Sequence, residues 1–116
     1  MHELSIAISI VEIAEEEALR RNVRVSAVHL KLGKLSGVVK DALLFSYGVA
    51  SEGTSLDGSS LIIEEVPVEV FCDNCRARRR IASPQWLQCP VCRAATPTVV
   101  RGMELEITSM EVEVAA

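Results

Sequence analysis

Apolar and polar residues divide the chain into a few distinct stretches. Leu4 to Arg21 contains no Pro or Gly, and Leu4, Ala7, Ile8, Val11, Ala14 and Ala18 recur at helical spacing. This predicts a helix, with Ile6, Ile10 and Ile13 widening its apolar surface. Glu16 and Glu17 stand four residues before Arg20 and Arg21, the favourable orientation for ion pairs along a helix, and Asn22 suits the stop. Val23 to Leu32 then alternates, placing Val28, Leu30 and Leu32 on one face and Ala27, His29 and Lys31 on the other, which predicts a strand ending at Gly33. A second helix is predicted over Val38 to Ala50, after Ser36-Gly37. Its Val39, Leu43 and Tyr47 are spaced by four, and Leu44 and Phe45 broaden the buried face. Ser51 to Ser60, with Gly53, Thr54, Asp57 and Gly58, reads as a loop, and Leu61 to Val66 as a strand closed by Pro67. Met103 to Val114 alternates with Leu105 and Ile107 in one phase and Met110, Val112 and Val114 in the other. The slip near Thr108-Ser109 predicts a bulge or a change of face.

The segment left over holds all the cysteines. Cys72-Asp-Asn-Cys75 and Cys89-Pro-Val-Cys92 are separated by 13 residues. A CxxC knuckle points backbone N–H groups at its sulfurs, and two facing knuckles close a tetrahedron around one ion with metal–sulfur bonds of about 2.3 Å. Structural Zn(II) on four thiolates is the favoured reading, with rubredoxin-like iron, redox dithiols and disulfides as the alternatives. A thioredoxin-type CxxC would follow a strand, open a helix and need no second copy. Four thiolates leave no open position, so such a zinc holds the fold and hydrolyses nothing. The fold class predicted is α+β, with two helices packed on a small three-stranded sheet and an inserted zinc-ribbon module. Val68 to Phe71, Arg78 to Ile81 and Pro97 to Val100 would be the ribbon's strands. The expected division is a domain of residues 1–66 plus 103–116 and a zinc-binding module of residues 67–102, with Pro67 and Gly102 as a hinge.

Composition sharpens this picture. The chain has 116 residues, with two Phe, one Tyr and one Trp to fill a core, so a metal staple fits a small domain. The polar start Met1-His2-Glu3 and the short apolar runs predict neither a secreted nor a membrane-spanning protein. Net charge is −4 but unevenly divided. Residues 67–102 carry six Arg (76, 78, 79, 80, 93 and 101) against Glu69 and Asp73, whereas the remainder has six basic and fourteen acidic residues. Arg78-Arg79-Arg80 reads either as a solvated strand face beside the metal or as a docking surface for an acidic partner.

The extreme N-terminus offers a second metal site. A terminal amine, the amide nitrogen of His2 and its imidazole can chelate one ion through fused five- and six-membered rings. That planar geometry suits Ni(II) or Cu(II), whereas zinc prefers a tetrahedron. The fourth position stays open for the Glu3 backbone or carboxylate, or for a receiving partner. A terminal histidine with no role is the plain alternative. His29, on the strand face opposite Val28, Leu30 and Leu32, reads as a solvated residue, and Asp41 as an acid favouring the start of the second helix.

Met1-His2-Glu3-Leu4 followed by a helix, then Leu32-Gly33-Lys34-Leu35-Ser36-Gly37-Val38, resembles the HypA/HybF nickel chaperones of nickel-iron hydrogenase maturation. Gly53-Thr54-Ser55-Leu56, Leu61-Ile62-Ile63-Glu64, both CxxC pairs, Gly102-Met103-Glu104-Leu105 and Met110-Glu111-Val112-Glu113 match that family in the right order over essentially the full chain. The resemblance implies a cytoplasmic accessory protein, not an enzyme, that carries Ni(II) as cargo and Zn(II) as a structural ion. It implies His2 as the indispensable nickel ligand, with the Met1 amine and Glu3 in support, and Cys72, Cys75, Cys89 and Cys92 as zinc ligands. The implied partners are a HypB-type GTPase, the hydrogenase large-subunit precursor and urease maturation proteins, with no nucleic acid and no membrane. Some relatives carry a further histidine near the zinc module; this chain has none there. A hydrolase is disfavoured, since no Ser/His/Asp arrangement or phosphate-cradling Gly loop is evident. A zinc-ribbon adaptor using Arg76, Arg78 to Arg80 and Trp86 is the alternative, and it predicts salt-sensitive polynucleotide binding.

Overall fold

The computed structural model describes residues 2–82, 87–96 and 98–114. Helix α1 spans Glu3–Arg21 and ends at Asn22, whose left-handed backbone (φ 52°) lets its N–H reach the carbonyls of Ala18 and Leu19. Asn tolerates that conformation better than most side-chain-bearing residues. The buried stripe of α1 is Glu3, Ala7, Ile10, Val11, Ala14 and Ala18. Leu4 and Ile8 are instead exposed, as is Ile13. The apolar surface read from the sequence is therefore wider than the stripe in contact, and the contact centres on Ile10 in place of Ile8.

Strand β1 (Val23–Gly33) buries Val25 and Ala27, then Val28, Leu30 and Leu32. The phase of burial changes at Ala27-Val28, so the simple alternation holds only for the second half. Helix α2 (Lys40–Ser51) buries Leu43, Tyr47 and Ser51, while Val39, Leu44 and Phe45 are exposed. The four-residue spacing thus starts at Leu43, and the broadened buried face expected from Leu44 and Phe45 is not formed. Residues 52–59 are turns that carry one core residue, Leu56, fully buried. Strands β2 (Ser60–Val66) and β6 (Leu105–Val114) complete a three-stranded sheet of order β2-β1-β6. The last strand therefore returns beside the first. On β6, Ile107 and Met110 both pack on the core although they are three residues apart, which is the change of phase expected near Thr108-Ser109.

Strands β3 (Glu69–Cys72), β4 (Ala77–Arg80) and β5 (Thr98–Arg101) form a second sheet of order β4-β3-β5. Both pairings are antiparallel, with Val70 opposite Arg79 and Val99, and Cys72 opposite Ala77. Pro97, expected in the last of these strands, lies outside the described residues.

The chain divides into two compact units. The first comprises Met1–Leu30, Val38–Glu64 and Glu106–Ala116, and the second Lys31–Gly37 and Glu65–Leu105. The first holds a core of both helices and the three-stranded sheet, including Ile10, Val28, Leu30, Leu43, Tyr47 and Leu56. Each fully buried Leu contributes about 1.5–3 kcal/mol. In the second unit the cluster of buried apolar residues is Val68, Val70 and Ile81, with Leu35 and Val99 beside it. Close backbone approach replaces side-chain bulk there. Gly33 N–H donates to Glu104 O (2.7 Å) and Leu35 N–H to Gly102 O (2.7 Å), and a Cβ at Gly33 would lie 2.1 Å from Gly102 O. Among the described residues no helix is long and apolar enough to cross a membrane.

Candidate metal sites

The cysteine site is assembled by two turns of the same design. Cys72 ends β3, and the chain turns through Cys75 to Arg76, whose φ is +52°; after Cys89 and Cys92 comes Arg93 with φ +65°. Each left-handed residue follows the second cysteine of its pair and costs on the order of 1 kcal/mol where glycine would cost little. The turns aim backbone donors at sulfur. Cys75 N–H points at Cys72 Sγ (3.4 Å), and the N–H groups of Val91 (3.4 Å) and Cys92 (3.5 Å) point at Cys89 Sγ.

The four sulfurs lie within 4.8 Å of one another, and none is in a disulfide. Cys72 Sγ is 3.5 Å from Cys92 Sγ, and Cys75 Sγ is 4.0 Å from Cys89 Sγ. A tetrahedron with metal–sulfur bonds of about 2.3 Å has edges of about 3.8 Å, so these separations bracket what a four-thiolate ion needs. A disulfide would require about 2.05 Å. Cys72 and Cys89 are wholly buried. Without an ion the group cannot carry four negative charges, and the thiols divide accordingly. The N–H groups of Cys92 and Val91, aided by Arg79, bring Cys89 down to about 6. The Asn74 side chain holds Cys92 below its ordinary value. At Cys72 the Cys75 amide favours thiolate, but burial and the neighbouring sulfurs outweigh it and push the thiol up to about 11. A divalent ion resolves that conflict by taking all four as thiolates. The donor set and its spacing therefore fit Zn(II), which would be held by Cys72, Cys75, Cys89 and Cys92 with no position left for substrate.

At the other candidate site, His2 is exposed and stands immediately before the first turn of α1. Its carbonyl accepts from Ile6 N–H (3.0 Å) and Ser5 Oγ (2.9 Å), which fixes the backbone, while its imidazole makes no capping bond. Glu3 is buried, and its Oε2 accepts the N–H of Val39 at 3.1 Å. Val39 caps α2 without a side-chain bond of its own, so the carboxylate of one helix serves the open N-terminus of the other. That amide, first among the causes, holds Glu3 below the ordinary carboxylate value. Met1 lies outside the described residues.

Other residues singled out in the sequence fall into place individually. His29 Nε2 lies 2.7 Å from Glu111 Oε2 on β6, so it has a partner instead of being merely solvated. Asp41 is in the first turn of α2. The arginine triplet splits: Arg78 and Arg80 are exposed, whereas Arg79 turns inward, with Nε buried and its guanidinium against the sulfurs of Cys75 and Cys89. Trp86 lies outside the described residues. Glu3 as an interhelical tie and Arg79 as a neighbour of the thiolates are absent from the sequence reading. For Arg79 a signal existed, since pairing Cys72 with Ala77 in a hairpin puts position 79 on the cysteine side.

The family model described as "Hydrogenase/urease nickel incorporation, metallochaperone, hypA" matches residues 1–112. The chain is 53% identical over 114 residues to the hydrogenase maturation factor HypA of Roseiflexus sp. (strain RS-1), covering 97% of this chain and 93% of that one. It is 52% identical over 112 residues to the protein of the same name from Chloroflexus aurantiacus, covering 96% and 98%. The fold is shared with the solution structure of the Ni metallochaperone HypA from Helicobacter pylori, with TM-score 0.66 and 21% identity over 99% of this chain and all of that one.

Proposed function

The chain belongs to the HypA family of metallochaperones for hydrogenase and urease nickel incorporation, and from that premise we propose that it captures one Ni(II) at its amino terminus and delivers it to the large-subunit precursor of a nickel-iron hydrogenase. The family is not one of enzymes; nickel is cargo. In this reading the Met1 amine and the amide and imidazole nitrogens of His2 chelate the ion, a planar donor set that suits Ni(II). Glu3 supports through its backbone amide, because its carboxylate is engaged at Val39 and first-turn amides have no helical acceptor. Glu3, the supporting donor at the fourth position, gives way to a donor from the recipient, so the chaperone's ligands leave one at a time and the ion is never free. Residues 1–66 plus 103–116 form the nickel-binding part. Residues 67–102 form the module in which Zn(II), held by Cys72, Cys75, Cys89 and Cys92, orders the chain. A HypB-type GTPase acts with the protein in the cytoplasm, and urease maturation proteins are a second set of recipients within the same family role.

The observation that carries this proposal is the family match over residues 1–112, with an exposed His2 at the head of α1. The test is a nickel titration of zinc-loaded protein with its Met1 terminus, beside His2→Ala and a version with two extra N-terminal residues, followed by the absorption of square-planar nickel. One equivalent on the native protein and loss on both variants supports the site. Equal binding by all three places the nickel elsewhere and overturns it.

A further inference from the structure

A four-thiolate Zn(II) carries a net charge of −2, and here two of its sulfurs belong to wholly buried residues. Backbone dipoles from Cys75, Val91 and Cys92 offset part of that charge. Arg79 offsets more, because it brings a full cation. It stands on β4 opposite Val70, two residues from Cys72 on β3, so its side chain leaves the sheet on the cysteine side. Arg78 and Arg80 leave on the other side, and both are exposed. Arg79 Nε is shut off from solvent and has no hydrogen-bond partner. A half-buried cation with an orphan donor shut off from solvent is costly unless negative charge lies beside it. That charge is at hand, since the register sets Arg79 on the cysteine side of the sheet, where its nearest negative neighbours are Cys75 and Cys89, one from each knuckle.

Resting on the zinc reading above, we propose that Arg79 is a positioning residue of the metal site, a fixed countercharge that straddles the two knuckles. It does not touch the ion. A planar guanidinium fork can serve two sulfurs at once, which a lysine's point charge does less well. It lowers the electron density on Cys75 and Cys89, so that four thiolates share one ion without excess charge in a buried site.

The experiment is chelator competition on the full-length zinc-loaded protein for wild type, Arg79→Met, Arg79→Lys and Arg78→Met. It is paired with the sulfur-to-metal charge-transfer band of the Co(II)-substituted forms. Arg79→Met should bind zinc 10- to 100-fold more weakly, the range typical of lost outer-shell partners. Its cobalt band should move to longer wavelength, because more electron-rich sulfurs donate at lower energy. Arg79→Lys should recover part of both effects, and Arg78→Met, which removes the same charge from the outward face, should match wild type. Should Arg79→Met not fold around an ion, Arg79→Gln is judged by the same criteria. An uncharged variant at position 79 that matches Arg78→Met in affinity and band position overturns the proposal, as does a lysine variant no better than the methionine one. A wild type whose cobalt form lacks a four-sulfur tetrahedral spectrum fails differently: it removes the zinc reading itself.

Discussion

The two units of this chain reach order by different means. The first buries a dozen apolar side chains from two helices and a three-stranded sheet, and its polar contacts trim the edges. The second has three buried residues in its apolar cluster, backbones packed glycine to glycine, and four sulfurs converging on one point. A core like the first is distributed, so one lost side chain weakens it by degrees. An assembly like the second is centralised, so its order hangs on one ion. Charge follows the same division, because six of the nine arginines lie in residues 67–102, around thiolates that need cations.

Removing the metal gives the largest effect and the sharpest test of this contrast. Structural zinc contributes on the order of 10 kcal/mol or more in small metal-dependent folds. Chelation, or Cys89→Ser, should therefore abolish amide-exchange protection at Val70 and Ile81 and leave it at Val28 and Leu30. Equal loss in both units would mean that they are not held independently.

Leu43→Ala comes next. Leu43 is wholly buried in the first unit, so about 2–5 kcal/mol should be lost in denaturant unfolding while zinc uptake stays at one equivalent. Gly33→Ala is its counterpart in the second unit, since the added methyl meets Gly102 O and C at 2.1 and 2.2 Å and Glu104 N at 2.6 Å. Those are backbone atoms with no rotamer to yield, so the expected cost is about 3 kcal/mol, at the top of the overpacking range. Melting of the zinc-loaded variant measures it. Glu111→Gln should cost under about 1 kcal/mol, because its bond to His29 is largely exposed.

What the sequence could and could not convey follows the same division. The element order, the return of the last strand to the first sheet and the cysteine cluster were legible, because periodicity and CxxC spacing are local signals. Which apolar residues of a helix are buried was less so. Leu4, Ile8 and Phe45 belong to apolar stripes wider than the surface available to cover them, and only packing decides which edge stays out. Leu56 is buried by a turn, which has no period to reveal it. Arg79 lay in a triplet whose members are alike in sequence, and the β3–β4 register alone separates the middle one. The tie from Glu3 to Val39 joins residues 36 apart, beyond any local pattern.

That tie gives the smallest effect, and it asks whether any polar contact matters in the unit held by its apolar core. Glu3 titrates below its ordinary value of 4.5, chiefly because the Val39 N–H favours the carboxylate. The unfolded chain therefore holds this proton more tightly than the folded one. The contribution is complete above the unfolded value and is lost as pH falls through 4.5 toward the folded value. Glu3→Gln should lower the melting temperature slightly at neutral pH and flatten its decline in acid, so that the two melting curves converge as pH falls below 4.5. Parallel curves would mean that the carboxylate at Val39 adds nothing. Nickel uptake by the same variant should persist, since the donor assigned to Glu3 is its backbone amide. If nickel is lost while the melting profile is unchanged, the carboxylate is a nickel ligand and the tie to α2 is incidental.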